Sequence, residues 1–129
     1  MKLPITLLTE GVKDIDPIAK LAKEIHTGGV TSSKLRKFYG AVKKIEVDFE
    51  KRSREIILLA PQLAYAIGRE TSKEQRKALI NLYESLEPLI RDIGQEEKKF
   101  SNFTQIMEVL VAYHRYEEGM SSSHRSFKR

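Results

Sequence analysis

Cysteine is absent from this 129-residue chain, which excludes disulfides, thiolate metal ligands and cysteine nucleophiles. No apolar run approaches the roughly 18 residues that a membrane-spanning helix needs. Met1 to Leu8 carries one positive side chain and no small-residue cleavage pattern, so the expectation is a cytoplasmic protein without a membrane partner. The histidines are few and scattered, at His26, His114 and His124. Only His114, with Glu117 and Glu118, approaches a ligand cluster, and no metal site is expected there. A phosphate-cradling glycine loop, a nucleophile elbow and a dense carboxylate cluster for two-metal hydrolysis are all missing. The chain is therefore read as non-enzymatic and free of cofactors, with stability supplied by packing.

What is present is a helical alphabet. Hydrophobic residues make up 40% and charged residues 32% of the chain, a balance that suits one globular domain with a heavily solvated surface. The expected fold class is all-α, a five-helix bundle spanning residues 1–118, followed by a polar basic tail at 119–129 expected to be disordered. Met1 to Thr9, with Pro4 blocking an early helix, reads as a flexible arm or as an extended segment added to a partner.

Asp16 and Pro17 open a first helix with Ile18, Leu21, Ala22 and Ile25 on one face, ending before Gly28 and Gly29. Thr31, Ser32 and Ser33 offer cap oxygens for a second, whose apolar positions Leu35, Phe38, Val42, Ile45 and Phe49 step by three and four. The run Ile56 to Ala60 suits a buried third helix that Pro61 kinks or restarts. With no glycine or proline between Ala41 and Ala60, the second and third helices are either continuous or hinged near Arg52 to Arg54. Thr71 to Glu74 reads as a capping box for a fourth helix, lined by Leu79, Leu82, Tyr83, Leu86, Ile90 and Ile93 despite Pro88. After a charged linker at Gln95 to Lys99, a fifth helix capped near Ser101 or Asn102 carries Phe103, Ile106, Met107, Leu110, Val111 and Tyr113.

Charge is concentrated in one place. Between Ser32 and Arg54 stand eight basic residues against three acidic ones, an excess equal to the net +5 of the whole chain. At about 100° per residue, the face of the second helix opposite its apolar stripe gathers Arg36, Lys37, Lys43, Lys44 and Lys51 around Gly40. A glycine inside a helix costs roughly 1 kcal/mol relative to alanine, and close approach of a phosphate backbone is a reason to keep one there. A solvated face usually mixes Glu with Lys, whereas this one is nearly all cationic and repels itself unless an anion neutralises it. A polyanionic partner follows. Glu108 is expected to pair with a cation on another helix. Tyr39, Tyr65 and Tyr113 are expected at the core edge, although tyrosines can also stack on bases.

Three segments, TSSKLRKFYGAVKKI (Thr31 to Ile45), LLAPQLAYAIGRE (Leu58 to Glu70) and FSNFTQIMEVLVAYHRY (Phe100 to Tyr116), resemble in this order the small-subunit family of the type III-A (Csm-type) CRISPR effector complex. The resemblance covers about residues 30–117. It implies a helical, non-catalytic subunit present in several stacked copies along guide and target RNA, while other subunits do the chemistry. Implied partners are single-stranded target RNA and the backbone of the guide/target duplex, the other subunits of the Csm-type complex, and further stacked copies of the chain; a hinge between the second and third helices would also permit a homodimer, swapped or not. By position, Lys34, Arg36 and Lys37 match the family's basic helix start, and Arg69 the basic residue closing LAYAIGR. Lys43, Lys44, Lys51, Arg52 and Arg76 join the RNA-binding set from face geometry and charge. The competing readings are a DNA-binding regulator, which would need base-directed Asn or Gln on a recognition helix, a nuclease, and an adaptor docking on an acidic protein surface.

Overall fold

The computed structural model describes residues 3–128, with side chains over 3–121. In chain order it has α1 (Thr6–Glu10), α2 (Asp16–Thr27), α3 (Ser32–Val47), α4 (Phe49–Arg52), a 3₁₀ segment (Ser53–Leu58), α5 (Leu59–Arg69), α6 (Lys73–Ile93) and α7 (Glu97–Lys128). No strand occurs among the described residues, and none of their helices is long and apolar enough to cross a membrane. The five expected helices correspond to α2, α3, the 3₁₀ segment with α5, α6, and α7.

One apolar cluster holds these elements together. Phe100, Phe103, Ile106, Met107 and Leu110 form a buried stripe on α7, and α1, α2 and α3 pack on that helix. On the far side α6 receives α5 and α2, contributing Leu79, Leu82, Leu86, Leu89, Ile90 and Ile93. Just after α2, Gly28 lies close against α6, where a Cβ would stand 2.5 Å from the Cβ of Ala78. The following Gly29 has φ +96°, a left-handed turn that frees the chain to start α3.

The N-terminal segment departs from the expectation of a free or partner-added arm. Leu3, Leu7 and Leu8 are buried in the main core, and α1 lies on α7. The Asn102 side-chain amide donates to the Leu8 carbonyl at 2.6 Å, and the Val12 N–H donates to Gln105 Oε1 at 3.3 Å. Asn102 is thus a clamp within α7 and not its cap, because α7 begins at Glu97 inside the segment read as a linker.

The passage from α3 to α5 is not a continuous helix: it turns at Arg52 (φ −113°, ψ 3°), where α4 gives way to the 3₁₀ segment, within the region expected as a hinge. The helix breaks earlier, at Asp48 (φ −130°, ψ 51°), and a short α4 and the 3₁₀ segment turn the chain so that Ile56 and Leu59 reach the core. Pro61 is the third residue of α5, where its missing N–H would have had no intrahelical partner. Pro88 lies inside α6, where burial of Leu86, Leu89 and Ile90 around it offsets a propensity cost of about 3 kcal/mol. The cap of α6 is one residue later than the expected box: Ser72 Oγ accepts from the Gln75 N–H at 3.3 Å. At the other end α7 continues past Glu118 to Lys128, without a helix break at the suggested start of the tail.

Replacing Leu8, which is fully buried, by alanine should lower unfolding free energy by about 2–5 kcal/mol, read from urea midpoints. A loose arm would confine the loss to about 0.5 kcal/mol.

Candidate nucleic-acid interface

The α3 helix lies between two neighbours, α7 on one flank and α5 on the other. Its stripe of Leu35, Phe38, Val42 and Ile45 is buried, and Thr31 Oγ1 caps its start by accepting from the Lys34 N–H at 3.2 Å. Positions at about 20–80° from Leu35 turn toward α7. There Lys43 Nζ stands 2.8 Å from Glu46 Oε1 and 3.8 Å from Glu108 Oε2, while the Tyr39 hydroxyl donates to Glu108 at 3.5 Å. The hydrogen bond to Glu46 holds the Lys43 ammonium above its usual pKa, and burial followed by the Glu108 charge raises that of Tyr39. Glu108 is half-exposed and pairs with a cation of another helix, as expected.

The strip facing away from the bundle holds Arg36, Lys37, Gly40 and Lys44, all exposed. None of the three cations has a hydrogen-bond or ion-pair partner among the described residues. A Cβ placed on Gly40 would meet no heavy atom within 4 Å, so the protein's own packing does not require a glycine there.

The other expected site residues are dispersed. Lys34 pairs with the buried carboxylate of Glu70, which also accepts from the Ser72 N–H at 3.0 Å. These two donors, Lys34 first, hold the Glu70 carboxyl below the usual range. Arg76 Nε and Nη2 donate to the Glu70 carbonyl, the former at 3.1 Å. Arg52 reaches both carboxylate oxygens of Glu55, at 3.3 and 3.2 Å. Lys51 stands on α4 beside Glu50, Ser53, Arg54 and Gln95, because the break at Asp48 takes it off the α3 face that an unbroken helix would have given it. Of the nine residues, Arg36, Lys37 and Lys44 share one strip; Lys34, Lys43, Arg52 and Arg76 are engaged internally.

Arg69 belongs to a feature the sequence reading placed differently. Tyr65 is 67% exposed, not at the core edge, and the Arg69 guanidinium lies 5.6 Å from its ring centroid. Both line a groove of about 800 Å³ between α3 and α5, floored by Leu35, Phe38 and Leu63 and rimmed by Lys37. A second concavity, with Gly40, Lys44 and Arg52 on its walls, adjoins it through Leu58 and Gln62. The signal for Tyr65 was its spacing of four from Arg69 on one helix face.

A second unforeseen feature pairs two histidines. Buried His114 places Nε2 2.8 Å from the Val30 carbonyl and meets the His26 ring edge-on at 5.3 Å between centroids. Among the described residues, no group of three or more His, Asp or Glu side chains is arranged to hold a metal ion.

A family model described as Csm2 Type III-A matches residues 10–120. No curated protein and no solved structure matches the chain.

The depressed Glu70 carboxyl carries a pH signature. Its unfolded form takes up a proton first, so its contribution to stability is complete above its ordinary value of 4.5 and is lost as pH falls through the lower folded value. Melting temperatures between pH 7 and 3 should fall less steeply on the acid side for Glu70→Gln than for wild type. Parallel acid limbs would show that this link contributes nothing.

Proposed function

The chain belongs to the Csm2 Type III-A family, the small subunit of the type III-A CRISPR effector complex, and we propose that it binds RNA in that complex through the outer strip of α3. In this reading several copies stack along the guide and target RNA. Arg36, Lys37 and Lys44 contact the phosphates of the target strand, and the subunit itself cleaves nothing. The observation that carries it is three mutually repelling cations, unpaired by any described carboxylate, around a glycine with open space before it. A phosphate backbone relieves the repulsion and releases counterions. It can also approach the helix closely at Gly40, which no intramolecular contact otherwise explains.

Phosphate contacts fix position without reading sequence, which suits a subunit that must accept whatever target the guide specifies. Lys43 and Arg52, already satisfied by Glu46, Glu108 and Glu55, take a secondary part. Arg69 joins the strip from across the groove, and Lys34 holds the start of α3 in place through Glu70. Contacts with other subunits and with further copies fall to exposed apolar side chains away from this strip. Ile5 and Ile15 stand near the N-terminus, and Tyr116 and Met120 on α7. The complex operates in the cytoplasm.

Fluorescence anisotropy of labelled single-stranded RNA across a salt series tests the strip. In the variant Arg36→Ala, Lys37→Ala, Lys44→Ala, with helicity verified, loss of three contacts should flatten the slope of log affinity against log salt by roughly 2. Lys43→Ala with Arg52→Ala should change it much less. An unchanged slope in the triple variant would remove the strip from the interface.

A further inference from the structure

We propose that the groove between α3 and α5 seats an unstacked nucleobase, with Tyr65 as its stacking platform, so that this face prefers single-stranded RNA to duplex. The inference rests on the backbone reading above and deepens it.

The first observation is the placement of Tyr65. Tyr39, Tyr83 and Tyr113 pack partly against the core, whereas Tyr65 offers most of its ring to solvent. The Arg69 guanidinium, which lies over one face of the ring, has no carboxylate partner among the described residues, so ring and cation together form a delocalised, positively charged pair whose exposed aromatic face can take a base. Stacking on such a surface accepts any base, since every base has a π-face.

The second observation is the groove itself. At about 800 Å³ it falls within the range of roughly 300–1,000 Å³ typical of organic-ligand sites. Its apolar floor suits a ring, and its rim is cationic. The one carboxylate on that rim, Glu70, is already neutralised by Lys34 and the Ser72 N–H. Repulsion of an anionic strand is thereby removed, and Lys37 and Arg69 remain for the phosphates on either side of the base.

The third observation is continuity. The adjoining concavity extends the same seam; its Glu55 is paired with Arg52, and Lys44 on its wall adds an unpaired cation for a further phosphate beyond those beside the base. A base held inside an A-form helix is stacked and paired, and cannot enter; an unpaired base can. An acidic protein segment would satisfy the charges but leave the exposed Tyr65 ring without its complement.

The test titrates the full chain into single-stranded RNA carrying one 2-aminopurine, and into a blunt RNA duplex of equal length. Wild type should quench the probe. Tyr65→Leu, which keeps apolar bulk and alters an exposed position, should lose quenching and about 5- to 150-fold in single-strand affinity. Tyr65→Phe should retain both. The salt slope should be the same in all three, because no charge changes, and duplex affinity should not move. If Tyr65→Leu binds and quenches like wild type while the salt slope persists, the stacking platform is wrong and the backbone reading stands. If wild type shows neither affinity nor salt slope, both fall. Equal losses on single strand and duplex, or a protein ligand competing with no quenching by wild type, would overturn the base site and favour a protein occupant of the groove.

Discussion

The burial of one α3 stripe between α7 and α5 governs everything the outer surface can do. Leu35, Phe38, Val42 and Ile45 sit in the core, and each large core side chain is worth several kcal/mol against truncation. That energy fixes the rotation of the helix about its axis. With the rotation fixed, Tyr39 and Lys43 meet Glu108 of α7, Lys34 meets Glu70 beyond the end of α5, and Lys37 looks into the groove. Arg36, Gly40 and Lys44 are left facing solvent. The Thr31 cap and the left-handed Gly29 set where this geometry starts, and Asp48 sets where it stops.

Charge alone would have made this surface look broader than it is. A carboxylate already beside a cation must be displaced, or its field tolerated, before phosphate can bind, so Lys43 and Arg52 count for less than their sequence position suggests. The strip owes its character to the absence of acid along it. In the proposed interface its low centre at Gly40 and its open neighbour groove would matter as much as the number of cations, since both would let a strand lie close to helix backbone.

The run Ile56 to Ala60, read as buried throughout, leaves Ile57 and Leu58 exposed, whereas the apolar stripes of α2, α3, α6 and α7 were legible in the sequence, because burial imposes a period that any reader can count. So were the Thr31 cap, the restart around Pro61 and the interhelical role of Glu108. The break at Asp48 was not, since neither glycine nor proline marks it, and the misplacement of Lys51 followed directly from it. Leu3, Leu7 and Leu8 lie in too short a segment for periodicity to show, and their anchors, Asn102 and Gln105, are more than ninety residues away. Which cations stay unpaired was likewise hidden. Lys43 finds Glu108, and Lys34 finds Glu70, across distances along the chain that no local pattern encodes.

The most direct measurement is photo-crosslinking of 4-thiouridine-labelled target RNA to this subunit within the assembled effector complex, with crosslinked peptides mapped by mass spectrometry. Crosslinks confined to the exposed face of α3 around residues 33–44 and to α5 around residues 61–69 are the predicted result. Crosslinks concentrated on α2, on the N-terminal segment or on the outer face of α7, with α3 and α5 unlabelled, would contradict it.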